Sequence, residues 1–246
     1  MAYAVAVVGA TGRMGRLATR LIEESDDFTM HAGLSSSDSL DAIDGADLVL
    51  DLTLPSVSPD VVDAAVARGI PALVGTSGWT AERLARLTSR LGDSPQIGVI
   101  VVPNFSLGSV LATRLATIAA TYFDSIEIIE AHHAAKADSP SGTAVRTAEL
   151  IAAARADRGP VAAPHTDQRA RGQQVGSVPV HSLRMDGILA EQQVIFGGLG
   201  ETLRISHQTV SDASYEQGIM LALRALPAAR GLTVGLDSLL GLDARS

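Results

Sequence analysis

An apolar strand, a glycine-spaced loop and an amphipathic helix follow one another at the start of this chain, and few folds accommodate that order. Tyr3-Ala4-Val5-Ala6-Val7-Val8 runs into Gly9-Ala10-Thr11-Gly12-Arg13-Met14-Gly15, after which Arg16 to Glu24 carries Leu17, Leu21 and Ile22 as the apolar positions of a helix. In a dinucleotide-binding turn the first glycine allows a tight turn. The second lets the backbone approach a pyrophosphate, and the third lets helix pack closely on strand. Gly9, Gly12 and Gly15 fit those places. The spacing alone is a weak signal, and its position between strand and helix gives it content.

Phe28 to Leu34 reads as a second strand. About 20 residues beyond the last glycine, where an acid often accepts from the ribose hydroxyls, the chain has Ser35-Ser36-Ser37. With no carboxylate in that run to repel a 2′-phosphate, and with Arg13 as a phosphate partner, NADPH is expected to serve at least as well as NADH. A solvated serine loop is the alternative for Ser36 and Ser37.

Leu48 to Thr53, Pro71 to Val74 and Ile97 to Val102 read as further strands, with helices from Ser58 to Arg68 and from Thr80 to Leu91 between them. Alternation of this kind predicts an α/β domain with a doubly wound parallel sheet over residues 1–105, whose ligands gather beyond the strand ends. The pattern then changes. Leu107 to Thr121 is helical, Ile126 to Ala131 is a strand, and Ser141 to Ala156 is a helix. Arg158 to Gly176 reads as a long, partly mobile loop. Val178 to Arg184, Glu191 to Phe196 and Thr202 to Val210 follow as strands without intervening helices, which predicts antiparallel pairing in a second, α+β domain over residues 106–212. Tyr215 to Leu226 is a last helix, and Leu236 to Leu240 a closing piece in a segment, 213–246, that is expected to return to the first domain.

The densest chemistry lies at His132-His133-Ala134-Ala135-Lys136, three potential proton carriers within five residues, followed by Asp138-Ser139-Pro140-Ser141-Gly142-Thr143. The histidines fall where a strand ends. Ser141, Gly142 and Thr143 fall at a helix start, where N–H groups and two hydroxyls can receive a carboxylate or phosphate. An anionic substrate facing His and Lys donors is the direct reading. Ser141 as a plain N-cap beside structural histidines is the alternative. His31, His165, His181 and His207 have no partners at ligand spacing and read as structural or surface residues. Trp79 reads as a packing residue, and no metal site is suggested.

Net charge of −8 without a long basic run argues against nucleic acid as the main partner. The absence of cysteine excludes disulfides and thiol chemistry. No apolar run approaches the roughly 18 residues of a membrane span, and no basic leader precedes Tyr3. A cytoplasmic protein without membrane contact is expected.

Taken together, Gly9 to Gly15, Val74-Gly75-Thr76-Ser77-Gly78, Pro103-Asn104-Phe105-Ser106-Leu107-Gly108, Glu130 to Ala144, and Phe196-Gly197 with Gly200-Glu201-Thr202-Leu203 resemble the dihydrodipicolinate reductases of bacterial lysine biosynthesis. The resemblance runs over nearly the whole chain, and the block from His132 to Ala144 is its most specific part. It implies a homotetramer with a Rossmann-type N-terminal domain that binds NADH or NADPH, and a second domain that supplies the substrate site and the tetramer sheet. It implies hydride transfer to a cyclic imine carrying two carboxylates, giving tetrahydrodipicolinate.

By the same resemblance, His132 is the acid/base residue, Lys136 the proton donor and His133 a substrate contact, with Gly142 and Thr143 at the carboxylate-binding helix start. Gly9, Ala10, Thr11, Gly12, Arg13, Met14, Gly75, Thr76, Ser77, Val102, Pro103, Asn104 and Phe105 match cofactor contacts, and Ser35 occupies the place of the family's acid. Ala134, Ala135 and Asp212 depart from the pattern. They leave open a related imine or enamine reductase acting on another cyclic dicarboxylate, and a non-catalytic dinucleotide sensor would not need His132 and Lys136 together.

Overall fold

A computed structural model describes residues 2–242. Its elements run β1 (Tyr3–Val8), α1 (Arg13–Glu23), β2 (Phe28–Leu34), β3 (Leu48–Asp51), α2 (Ser58–Ala67), β4 (Ala72–Val74), α3 (Ala81–Leu91), β5 (Gly98–Val101), α4 (Leu107–Ala120), β6 (Ser125–His132), α5 (Gly142–Ala154), β7 (Gln173–Val175), β8 (Val178–Arg184), β9 (Ala190–Gly198), β10 (Glu201–Thr209), α6 (Glu216–Ala225) and β11 (Gly231–Val234). Contacts group them into two compact units, one ending at Phe105 and resuming at Tyr215, the other Ser106–Ser214. Residues 1 and 243–246, which the expected bounds of the first domain include, lie outside the described residues.

The first unit holds a six-stranded sheet in the order β11-β5-β4-β3-β1-β2, parallel at every pairing. Its central strands, Leu48-Val49-Leu50, Ala72-Leu73-Val74 and Val99-Ile100-Val101, are buried throughout. Continuous apolar runs are what a sheet covered on both faces requires. The strand order reverses between β1 and β3, the kind of switch point at which such sheets bind ligands. Two details correct the sequence reading. The helix after the glycine loop begins at Arg13 rather than Arg16, because Gly12, extended at φ −71° and ψ 170°, already serves as N-cap. The returning strand is β11, Gly231–Val234, which lies parallel to β5; the stretch Leu236–Leu240 is a turn held by a bond from the Leu240 N–H to the Leu236 carbonyl.

The second unit holds a mixed five-stranded sheet in the order β10-β9-β6-β8-β7. β9 pairs antiparallel with β10 and with β6, while β6 and β8 run parallel. The expected pairing of consecutive strands therefore holds for β9 with β10 but not for β8 with β9, since β6 stands between them. In that central strand Ile126, Ile128 and Glu130 are fully buried on one face, while Glu127 and Ile129 on the other are half-buried. Alanines 116, 119, 120, 144 and 148 pack with Ile126, Ile128, Val178, Val180, Val194 and Phe196 in one core, their small side chains bringing α4 and α5 close to the sheet.

The segment Arg158–Gly176 is less open than expected. It ends in β7, and Arg171 in a short 3-10 turn grips Glu127 on β6 while the Val161 N–H donates to Ser177 Oγ at 2.9 Å.

Candidate active site

In the first unit, every segment expected to touch a nucleotide follows the C-terminal end of a parallel strand. Gly9, Ala10, Thr11 and Gly12 follow β1, and Arg13 and Met14 open α1. The N–H groups of Gly9 and Ala10 both donate to the Leu34 carbonyl at 2.9 and 3.0 Å, which ties the loop to the end of β2 beside Ser35. Gly9 sits at φ +89°, and a Cβ on Gly15 would stand 2.1 Å from the Gly9 carbonyl oxygen. The loop is thus wound tightly under the first turn of α1, whose N–H groups have no intrahelical acceptor and are suited to receive an anion. These features fit a dinucleotide pyrophosphate.

Gly75, Thr76 and Ser77 follow β4; the Gly75 N–H donates to the Asp51 carbonyl at 2.9 Å. Val102, Pro103, Asn104 and Phe105 follow β5, with Val102 and Phe105 buried, so that a ligand meets their main chain rather than their side chains. Asp51 itself is fully buried. Its carboxylate accepts from the Thr53 N–H and hydroxyl at 3.0 and 2.6 Å and from the Ser58 hydroxyl, which in turn accepts from Trp79 Nε1 at 2.9 Å. Trp79 is a packing residue with a satisfied N–H.

The end of β2 corrects an expectation. The sequence run Ser35-Ser36-Ser37 suggested that no carboxylate stands there, but Asp38 folds back and accepts from both the N–H and the hydroxyl of Ser35 at 2.7 Å. Those two bonds, the side-chain one foremost, hold the Asp38 carboxyl below the usual carboxylate range. An aspartate three residues beyond a serine at a strand end was the available signal.

In the second unit, the site is built at the ends of β6 and β8 and the start of α5. His132 ends β6 beside Arg184, its partner in the parallel register. Glu130, two residues earlier, is fully buried, and both of its oxygens accept hydrogen bonds. Oε2 accepts from His132 Nδ1 at 2.6 Å and Arg184 Nη1 at 3.0 Å. Oε1 accepts from Arg184 Nη2 at 2.9 Å and from the Ser141 N–H at 3.3 Å. Burial pushes Glu130 up, but the hydrogen bonds from Arg184, Ser182 and His132 together with the Arg184 charge outweigh it, and the carboxyl titrates below its usual range. For His132 the balance goes the other way. Burial lowers it, Glu130 opposes, and Lys136 and Arg184 add to the lowering, so the imidazole titrates below the usual histidine value.

The chain then turns. The Lys136 N–H donates to the His133 carbonyl at 3.1 Å, and Lys136 Nζ pairs with Asp138 at 2.7 Å. Arg184 Nη2 donates to the Asp138 carbonyl at 2.5 Å, which brings this loop to the same cluster. Ser141 is the N-cap of α5, its hydroxyl accepting from the Ala144 N–H at 3.2 Å; Gly142 is exposed and Thr143 half-buried. Thr147, one turn on, donates to the Thr143 carbonyl at 2.8 Å and accepts from Gln192 on β9 at 3.0 Å, fixing the first turn of α5 against the sheet. The structure therefore joins His132, Lys136 and Ser141 through Glu130, Arg184 and Asp138. His133 is exposed beside this group.

Arg184 was absent from the sequence reading. Its place beside His132 depends on β8 lying parallel to β6, which no local pattern in the sequence announces. The other histidines have structural partners: His31 Nε2 with the Asp44 carbonyl at 3.0 Å, His181 Nε2 with Glu127 at 2.7 Å, His207 Nε2 with Ser106 Oγ at 3.1 Å, while His165 occupies a turn at φ +59°. Asp212 opens a short 3-10 turn, Asp212–Tyr215. Among the described residues no group of three His, Cys, Asp or Glu is placed to hold a metal, and no helix is long and apolar enough to cross a membrane.

Comparison with known proteins covers both units. Residues 3–105 match the family model for dihydrodipicolinate reductase, N-terminus, and residues 108–240 that for dihydrodipicolinate reductase, C-terminus. A 4-hydroxy-tetrahydrodipicolinate reductase of Clavibacter sepedonicus is 60% identical over 243 residues, spanning 99% of this chain and 88% of the relative. Its counterpart in Streptomyces griseus subsp. griseus is 47% identical over 247 residues, spanning 97% and 98%. Among solved structures, a dipicolinate-bound dihydrodipicolinate reductase from Paenisporosarcina sp. TG-14 superposes with a TM-score of 0.82 at 30% identity, covering 97% of this chain and 99% of that one. A myo-inositol dehydrogenase from Corynebacterium glutamicum, at 16% identity and a TM-score of 0.58, shares the fold alone.

Proposed function

The chain belongs to the dihydrodipicolinate reductase family, and from that membership we propose that it reduces a dihydrodipicolinate-type cyclic imine to tetrahydrodipicolinate in lysine and diaminopimelate biosynthesis. The observation that carries this reading is that a single buried acid, Glu130, ties the proton carrier His132 to the anion-ready start of α5, next to Lys136. A substrate with carboxylates on an electron-poor ring needs that pairing: anion donors to hold it, and an acid beside the ring. The Paenisporosarcina relative was solved with dipicolinate, a ring bearing two carboxylates.

In this reading the parallel-sheet unit is the dinucleotide-binding domain and the second unit the substrate and tetramerisation domain. Gly9 to Met14 receive the pyrophosphate, Ser35 and Asp38 the adenosine ribose, and Gly75 to Ser77 with Val102 to Phe105 complete the nucleotide site. NADH or NADPH, when bound, supplies the hydride. The Ser141, Gly142 and Thr143 start of α5 binds one substrate carboxylate, and His133 contacts the substrate at the mouth of the site. Lys136 and His132 place a proton where hydride addition builds negative charge, an arrangement that typically contributes about 10²- to 10⁴-fold. The stoichiometry is one hydride and one proton per imine reduced.

The same reading takes the enzyme to be a cytoplasmic homotetramer. β10 supports this, since it is an edge strand with Glu201 to Arg204 exposed and would present unpaired backbone to a partner.

The test is oxidation of NADPH and NADH by the purified protein with freshly generated dihydrodipicolinate precursor, run beside another cyclic imine dicarboxylate. Turnover of the first well above the second is expected. Preference for the second would assign the chain to a different reduction.

A further inference from the structure

Resting on the proposed role of His132, we propose that Glu130 and Arg184 are positioning residues for catalysis: they fix His132 as the Nδ1–H tautomer and leave Nε2 as the ring nitrogen that exchanges a proton with substrate. The geometry carries the inference. A fully buried carboxylate that accepts two parallel N–H bonds from one guanidinium stays ionised and can only accept. A ring nitrogen 2.6 Å from such an oxygen must bring the proton to that contact, so Nδ1 carries it and Nε2 does not in the neutral ring. Arg184 is what keeps the acid charged. Without it, Glu130 would be a buried carboxylate with only His132 and N–H or hydroxyl donors, and protonation of Glu130 would let Nδ1 act as acceptor and reverse the ring.

The arrangement orients as well as protonates. Arg184 also donates to the carbonyls of Leu183 at 2.6 Å and Asp138 at 2.5 Å, and Glu130 accepts from the Ser141 N–H, so the imidazole plane, the Lys136–Asp138 loop and the α5 start are referred to one ion pair. The charged groups around His132 are Glu130 on its own strand, Arg184 on β8, and Lys136 with Asp138 in the following loop. A carboxylate that merely filled a core position would need neither the histidine contact nor this linkage to the loop.

The experiment is long-range ¹H–¹⁵N correlation of histidine-labelled protein at neutral pH, with His132 assigned from the His132→Asn spectrum, followed by kinetics of Glu130→Gln across the pH range. The wild-type ring is expected to show the Nδ1–H tautomer. In Glu130→Gln, whose amide can either donate or accept, a mixed tautomer is expected, with kcat lower by about 10²-fold, KM changed far less, and the limb along which activity falls with rising pH, set by loss of the His132 proton, moved to lower pH. Arg184→Lys, which retains the charge, should keep the tautomer.

If Glu130→Gln does not fold, the wild-type spectrum and Arg184→Lys still decide the matter. An Nε2–H tautomer in the wild type, or a uniform fall in kcat with the high-pH limb unmoved, would overturn the positioning role while wild-type turnover left the reductase assignment standing. Absence of imine reduction by the wild type would remove both.

Discussion

Lys136 and His132 share a site but not a burden. Lys136 lies at the loop turn in an ion pair with a half-exposed Asp138, so it can exchange that partner for a substrate carboxylate and deliver a proton. Lys136→Ala is expected to lower kcat by at least about 10²-fold. Thr143→Ala removes one donor to a carboxylate and should act chiefly on KM, by about 1.5–3 kcal/mol. Steady-state kinetics of the two variants separates these outcomes. Near-normal kcat in Lys136→Ala with loss of activity in Thr143→Ala would reverse the roles.

The pH dependence of stability follows from groups whose shifts have clear signs. His132 and His207 both titrate low in the folded chain because of burial. Below the unfolded value of about 6.5 the unfolded chain binds protons that the native one refuses, so stability falls as pH drops from there through the folded values. Glu130 and Asp138 titrate low as well; for each, burial raises the carboxyl and its partners, Arg184 foremost for Glu130 and Lys136 for Asp138, outweigh it. Their contribution is present above about pH 4 and is lost as pH falls further. Thermal melts between about pH 7.5 and 5 should show a declining Tm, with a smaller decline in His207→Gln. A flat Tm over that interval would contradict the burial of both histidines.

Coenzyme choice also turns on single residues. Asp38 is bound to Ser35 at the end of β2, and on the proposed reading its carboxylate lies at the ribose end of the nucleotide site. A carboxylate near a 2′-phosphate repels it, so Asp38→Asn should raise the preference for NADPH over NADH by a few-fold. Ratios of kcat/KM for the two coenzymes measure it, and an unchanged ratio would place Asp38 outside the ribose site.

At the scale of elements, the proposed reading gives the glycine loop and the start of α5 the same task, presenting backbone N–H groups to an anion. A side chain at Gly15 has no room beneath the Gly9 carbonyl, so Gly15→Ala should push α1 off β1 and weaken NADPH binding by more than about tenfold, read by fluorescence titration. Ser141→Ala should cost about 1 kcal/mol through loss of the N-cap. An unchanged nucleotide affinity in Gly15→Ala would mean that the loop is not the pyrophosphate cradle.

These devices were legible because they are local: Gly9, Gly12 and Gly15 are spaced along one turn, and Ser141-Gly142-Thr143 follows a strand end directly. Strand runs such as Leu48 to Asp51 were legible for the same reason, as continuous apolar segments. What escaped was set by topology. Arg184 becomes the partner of Glu130 only when β8 takes its place parallel to β6, and β11 is a four-residue strand, Gly-Leu-Thr-Val, with too little pattern to announce itself. Asp38 escaped because its place at the end of β2 depends on a turn that folds it back onto Ser35, three residues earlier.

The whole molecule divides its work between a parallel sheet with a nucleotide-type edge and a mixed sheet bearing an acid–base cluster. Light scattering at micromolar concentration is expected to give a tetramer, and a monomer would leave the exposed edge of β10 unexplained. The measurement that bears most directly on the central claim is isotope tracing of the reduction itself. The protein is given coenzyme carrying deuterium at the transferred position, with freshly generated dihydrodipicolinate precursor in ordinary water. Tetrahydrodipicolinate with a single deuterium on a ring carbon and its accompanying proton drawn from solvent is the predicted result; unlabelled product, or labelled coenzyme left unconsumed, would contradict it.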